Sequence, residues 1–254
     1  MRKVRNPNYQ NPDSPTYSGL VELEATENGL VRYSRSIVKK LHKHLDLDAS
    51  SIVCDFGAGS GSLAKIFKDL FLLSPVCVEL DPELCKRLQK DGFQSVEKLD
   101  DLQTNFDFIY TSNVLEHIEK DDETLIALRN KLNLGGRLGI YVPAHQFLYS
   151  SMDRQVGHFR RYSKSELISK VEQAGLRITY VSYDDFLGFF ASLFLKFAGY
   201  NRGGLGSRLS LQIYDTLIFP VSAILDRIGF NKLLGKNIIM ICSLSSSGLQ
   251  NQSK

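Results

Sequence analysis

The chain has 254 residues, of which 43% are hydrophobic and 23% charged, with a formal net charge of +3. That is enough apolar residue to bury one large domain, or one domain with a sizeable insertion, and it excludes a disordered chain. The charge is too small to argue for nucleic acid, and the four cysteines (Cys54, Cys77, Cys85, Cys242) lack C-x-x-C spacing and read as buried free thiols rather than disulfides or zinc ligands.

Residues 1–20 are rich in proline and asparagine and predict a flexible N-terminal arm. They are basic but lack the apolar stretch of a signal peptide, and no uncharged apolar run approaches the ~20 residues of a membrane span. A cytoplasmic location is expected. A core over 21–182 opens with a helical pattern to Leu45, in which Leu30, Tyr33, Ile37, Val38 and Leu41 recur every three or four residues. His42 and His44 sit at its Lys-flanked end and are expected to face solvent.

Ile52–Ser62 reads I-V-C-D-F-G-A-G-S-G-S. A short apolar strand ends in Asp55, Gly57, Gly59 and Gly61 follow at alternate positions, and a helical pattern starts at once. Glycines without Cβ let the backbone turn and a flat ligand lie against it, in front of free helix N–H groups. This is a cradle for a nucleotide-type cofactor. Val76–Leu80 predicts a second strand ending in Glu79, and Asp81-Pro82-Glu83 opens the next helix. Weaker signals place a third strand near Phe93–Val96. Phe106–Thr111 predicts a fourth, followed by a helix over Asp121–Leu132 and a fifth strand over Arg137–Val142. Strands alternating with helices predict a doubly wound, mostly parallel α/β sheet with its ligand beyond the carboxyl ends of the strands.

The crevice there is acidic: Asp55, Glu79, Asp81, Asp100 and Asp101 surround it, and no basic residue lies between Ile52 and Ala64. A pyrophosphate would be repelled, whereas a cofactor carrying a sulfonium and an ammonium would be favoured. Glu79 lies 18 positions past Gly61, about where an acid reaches ribose hydroxyls in this topology. S-adenosylmethionine fits the pattern better than NAD. An NAD-dependent oxidoreductase on the same fold, or a cofactor-binding module without turnover, are the alternatives.

The ordered series V-C-D-F-G-A-G-S-G-S, V-E-L-D-P-E, F-D-F-I-Y-T-S-N-V-L-E-H-I and L-G-G-R-L-G-I-Y-V-P resembles the motifs of class I S-adenosylmethionine-dependent methyltransferases over roughly residues 30–182. The resemblance implies a seven-stranded Rossmann-like methyltransferase fold. It implies that Gly57, Ala58, Gly59 and Gly61 line the methionine part and that Asp55 holds its ammonium through water. Glu79, with Leu80 behind it, would take the ribose, the Leu99–Asp100 backbone the adenine, and Asn113 would close the pocket near the methyl group. At about Lys98 the chain departs from relatives that place an acid on the adenine amine.

A sulfonium methyl is already activated, so the protein has only to hold the acceptor in line and, for some acceptors, remove a proton. The polar, aromatic segment Pro143–Leu167 follows strand five, and its G-H-F-R-R-Y core is similar to a block in methyltransferases of the quinone-biosynthesis and cell-envelope kind. His158 is the candidate base, because imidazole titrates near neutral pH. Asp153 would orient it, and Arg160, Arg161 and Tyr162 would position or bind an anionic acceptor. The alternative for the two arginines is a surface pair capping the helix predicted over Ser163–Ala174. His117, after strand four, is a second candidate, and His145 a lesser one. No N/D-P-P-Y/F run follows strand four, which argues against DNA-base amines and leaves a small or lipid-linked acceptor, with O-methylation expected.

Leu176–Ser182 and Asn237–Leu244 predict strands six and seven as an antiparallel pair. Residues 183–236 between them form an apolar helical insertion, with a helix over Phe186–Ala198 and a second helical stripe bent at Pro220. It is expected to be a substrate lid, a membrane contact or a dimer interface. Residues 245–254 are expected to be a disordered tail.

Overall fold

The computed structural model describes residues 29–198 and 208–244. The expected arm and tail lie outside these residues, as do residues 199–207 of the insertion.

A seven-stranded sheet runs in the order β3-β2-β1-β4-β5-β7-β6. Its strands are β1 (Val53–Phe56), β2 (Val76–Val78), β3 (Ser95–Val96), β4 (Phe106–Ser112), β5 (Leu132–Pro143), β6 (Leu176–Asp184) and β7 (Asn237–Leu244). β7 lies between β5 and β6 and is antiparallel to both. β1 to β5 pair in parallel.

Period-two alternation buries both faces, as a doubly covered sheet requires. Leu138, Ile140 and Val142 of β5 and Ile238, Met240 and Cys242 of β7 join one core; Tyr141, Ile239 and Ile241 join the other. In β4 a register shift between Phe106 and Phe108 breaks the alternation and sends these two rings into different cores. All four cysteines are free and buried.

The helices are α1 (Val31–His42), α2 (Ser62–Phe71), α3 (Pro82–Lys90), α4 (Asp121–Asn130), α5 (Ser151–Gln155), α6 (Lys164–Gln173), α7 (Phe186–Ala198), α8 (Arg208–Ile213) and α9 (Phe219–Arg227). Asp81 caps α3, accepting from the N–H groups of Glu83 and Leu84, with Pro82 at a position where no N–H is needed. Ser163 and Glu166 form a capping box on α6.

Two expectations need correction. β5 and β6 run longer than predicted, so the insertion begins at Asp185. His42 and His44 are only partly solvated: they stack on Phe71 (ring centroids 3.6 Å apart) and Tyr180 (3.9 Å), and partial burial lowers the pKa of both. Before Pro220 the second helix of the insertion contains a π-helical turn, Tyr214–Ile218. A proline donates no N–H to the turn before it, and the widened turn accommodates that gap. The combined helix Arg208–Arg227 is 20 residues long and apolar enough to cross a membrane by length and composition.

That helix is stapled to the domain by its two acids. Asp215 accepts from the backbone N–H groups of Arg32 (2.9 Å) and Tyr33 (2.8 Å) in the first turn of α1. Asp226 accepts from those of Asp185 (2.9 Å) and Phe186 (3.2 Å) at the start of α7. Lys40 bridges Asp226 to Asp184, the last residue of β6. Each acid thus satisfies orphan helix donors.

Candidate active site

The carboxyl ends of β1, β2 and β4 meet at the glycine loop. Gly57, Gly59 and Gly61 all have positive φ (77°, 56° and 80°). A Cβ on Gly57 would lie 2.3 Å from Cγ2 of Val114, so the loop and the segment after β4 touch backbone to side chain. Leu88 lies equally close to Gly61, but through the end of a flexible side chain.

Asp55 is buried and accepts a hydrogen bond from the Tyr110 hydroxyl at 2.9 Å. Burial outweighs that bond, and with the charge of Glu79 nearby its pKa is pushed up to about 7. Glu79 accepts from the Gly59 N–H (2.7 Å) through one oxygen and from the Asp81 N–H (2.9 Å) through the other. It therefore ties the glycine loop to the start of α3. Each carboxylate oxygen keeps a lone pair for a further donor. Leu80 stands 69% exposed beside it, Ala58 is buried, and Leu99 is buried in a short 3₁₀ turn with Asp100 exposed. Asn113 is exposed at φ +54° with its N–H on the Tyr141 carbonyl.

The residue set suits S-adenosylmethionine. Asp55 and Glu79 offer oxygen acceptors, three loop positions carry no Cβ, and the apolar Leu80 stands exposed beside Glu79. Nothing cationic in the loop would serve a pyrophosphate.

The second half of the site is built on Asp153. Its Oδ1 accepts from His158 Nδ1 and Arg161 Nε, each at 2.8 Å. Its Oδ2 accepts from the Ser150 N–H (2.8 Å) and hydroxyl (3.0 Å), closing a capping box on α5. Burial would raise its pKa, but His158 and Arg161 more than offset that and hold it well below the usual carboxylate range. The expected His158–Asp153 pairing is thus present. His117 packs edge-on to His158, centroids 4.5 Å apart. Burial, and secondarily His158, pull its pKa down to about 3.

Arg160, Arg161 and Tyr162 do not face an acceptor as expected. Tyr162 is wholly buried and donates to Asp121 at 2.7 Å. Arg160 pairs with the same Asp121 (2.7 Å) and with the Glu119 carbonyl (2.8 Å). Arg161 is buried against Asp153. Nor are the arginines a surface pair capping α6, because that cap is Ser163 with Glu166. These three residues hold the segment Pro143–Leu167 in shape. His145, at φ +65°, is stacked on Tyr183.

Sequence reasoning missed Glu116. It sits in a 3₁₀ turn (Leu115–His117) after β4, and its carbonyl accepts from the Phe159 N–H at 2.8 Å. Its side chain is fully buried, and neither carboxyl oxygen has a hydrogen-bond partner. Burial pushes its pKa up to about 8. The signal available was an acid next to His117, directly after a strand that ends at the crevice.

This arrangement of sheet order, glycine loop and acid after β2 defines a class I S-adenosylmethionine-dependent methyltransferase. The sequence profile of a family described as "Methyltransferase domain" matches residues 30–181, and the chain belongs to that family. Its methyl donor is S-adenosylmethionine. Solved structures of the same fold include a chain from the complex of the Haloferax volcanii Trm112 methyltransferase activator with a methyltransferase (12% identity, TM-score 0.60, 95% of this chain and 99% of that one). A sarcosine dimethylglycine methyltransferase from Galdieria sulphuraria is 18% identical (TM-score 0.57, 85% of each chain). Phosphoethanolamine N-methyltransferase 2 of Haemonchus contortus, in complex with S-adenosyl-L-methionine, is 15% identical (TM-score 0.59); the match takes in 91% of this chain and 58% of that one. No curated protein sequence matches the chain.

Proposed function

We propose that this methyltransferase acts at a membrane surface, transferring its methyl group to an oxygen of a lipid-linked or otherwise hydrophobic acceptor. The observation that carries this reading is the outer face of the insertion. Phe190, Phe194 and Phe197 on α7 are exposed at helical spacing, and so are Leu217, Val221, Ile224 and Ile228 across the π-helical turn and α9. A soluble monomer rarely shows so much contiguous apolar surface. Both acids of the described insertion helices, Asp215 and Asp226, are buried as staples, whereas Lys196, Arg208, Arg227 and Lys232 remain outward. An apolar face rimmed by cations alone complements anionic lipid. Because the staples fix the 20-residue helix along the domain, it lies on a bilayer rather than crossing it.

In the mechanism, Asp55 and Glu79 supply the acceptors for the cofactor's ammonium and ribose hydroxyls, and Gly57 to Gly61 let it approach the backbone. The bound cofactor supplies an electrophilic methyl group. Leu80 and the Leu99 turn would flank the adenine, and Asn113 would stand beside the methyl group. An oxygen acceptor needs its proton removed. The Glu116–His117–His158 cluster is the proton-handling group, with His158 oriented by Asp153.

Sedimentation with vesicles containing anionic lipid, run beside transfer of labelled methyl into lipid extracts, tests the proposal. Binding that is lost in a Phe194→Glu/Ile224→Glu variant, with label in the lipid fraction, is expected. A protein that stays in the supernatant, or a dimer that buries this face by light scattering, refutes the membrane reading.

A further inference from the structure

We propose that Glu116, His117 and His158 bind one divalent first-row transition-metal ion of the zinc type, with Asp153 as the residue that positions a ligand. One ligand atom from each of the three lies within 4.8 Å of the others. His158 Nε2 is 3.9 Å from Glu116 Oε1, too far for a hydrogen bond. Around a tetrahedral zinc the ligand atoms stand about 3.4 Å apart, given bond lengths near 2.1 Å. A contraction of about half an ångström therefore closes the pair on an ion.

Three further observations separate this cluster from an accidental gathering of polar groups. Glu116 is fully buried with both oxygens unpartnered, and a buried carboxylate without a hydrogen bond or a cation is costly. Arg161 does not supply the missing charge by contact, since its Nε is spent on Asp153 and its Nη1 has no partner either. Arg161 attracts Glu116 from a distance, but its nearest partner is Asp153, so neither Glu116 oxygen is held by a cation.

His158 already donates Nδ1–H to a carboxylate, which fixes the tautomer that presents Nε2 as a lone pair. A carboxylate behind the histidine is the usual second-layer support of a zinc ligand. The His117 ring also interacts with the Gly157 backbone.

One carboxylate oxygen and two imidazole nitrogens suit zinc, iron or manganese better than magnesium or calcium, which want oxygen throughout. Three protein ligands leave a position open, and the two histidines are only half-buried, so that position is reachable from outside. Val114, two residues before Glu116, is the side chain packed on Gly57, so the ion would sit one turn away from the cofactor loop. The inference rests on the methyltransferase reading for its purpose and deepens the proton-handling step. An acceptor hydroxyl bound at the open position would be acidified by the ion and would lose its proton to solvent, and His158 would serve as ligand rather than base.

The test uses the full chain, stripped with chelator and titrated with Zn2+ and with Co2+. Calorimetry reads stoichiometry, and the visible absorption of Co2+ reports nitrogen ligation. One ion per chain is expected, with affinity at least tenfold weaker in Glu116→Gln and in His158→Asn. Asp153→Asn should weaken binding ~10–100-fold and shift the Co2+ bands. S-adenosylhomocysteine affinity, measured on each variant, shows that the fold and the cofactor site are intact. Intact cofactor binding with no stoichiometric ion, or with ion binding unchanged in His158→Asn, overturns the metal site alone. Loss of cofactor binding in the wild type would count against the methyltransferase reading instead.

Discussion

Replacing Gly57 by alanine probes the contact on which the cradle depends. Two costs add. A residue with a Cβ at φ +77° carries about 1–2 kcal/mol of backbone strain. The new Cβ also meets Val114 Cγ2 at 2.3 Å and Cγ1 at 2.8 Å, separations that real atoms do not hold. Overpacking of this kind costs roughly 1–3 kcal/mol as the neighbour gives way. The sum, about 2–5 kcal/mol, should lower Tm by roughly 5–15 °C for a chain of this size. Val114→Ala removes both offending methyls, so in the double variant only the strain should remain. A double-mutant cycle by urea unfolding should therefore show a favourable coupling of about 1–3 kcal/mol between the two sites. Gly57→Ala as stable as wild type, or additive effects in the double variant, would refute the packing of the loop against the segment after β4.

Glu79→Ala should weaken S-adenosylhomocysteine by roughly 1–3 kcal/mol in calorimetry, and it also releases the N–H groups of Gly59 and Asp81. Unchanged affinity would remove Glu79 from the site. Asp55, with its pKa near 7 in the free protein, should make that affinity pH-dependent. A cationic ammonium binds the ionised form, so Kd should be flat above about pH 8 and rise up to tenfold per unit as pH falls below 7; Asp55→Asn should abolish the slope. Glu116 has its folded pKa raised to about 8, so its contribution to stability is full at pH 4 and is lost as pH rises through 8. Thermal melts in chelator should accordingly show Glu116→Gln gaining on wild type from about pH 5 up to pH 8 and levelling off above it, and parallel curves across pH 5–8 would contradict the burial. Asp215→Ala strips two N–H caps from α1 and should cost about 1–2 kcal/mol.

The glycine loop, the alternation of strands and helices and the two acids were legible because their signals are local. A short strand that carries an acid, alternating glycines and an Asp-Pro-Glu helix start each occupy a few consecutive positions. The same locality misled where polar side chains find partners far along the chain. Arg160 and Tyr162 look like ligand-binding groups until Asp121, some forty residues earlier, takes both of them. His42 and His44 look solvated until Phe71 and Tyr180 stack on them. Glu116 reads as an ordinary residue in a turn, yet it is fully buried, and its carbonyl accepts from Phe159, 43 residues later. No pattern near Glu116 announces that contact.

The placement of β7 has a consequence for how the molecule is made. The last described strand is threaded between β5 and β6, and the helix just ahead of it clamps α1 through Asp215, 182 residues after Tyr33. The growing chain on the ribosome can therefore assemble β1 to β5 early. It must then wait, with one sheet edge unpaired and α1 uncapped, until Asn237–Leu244 has been synthesised. During that interval the chain is most exposed to chaperones, proteases and sticky neighbours, and a truncation before Asn237 would never leave it.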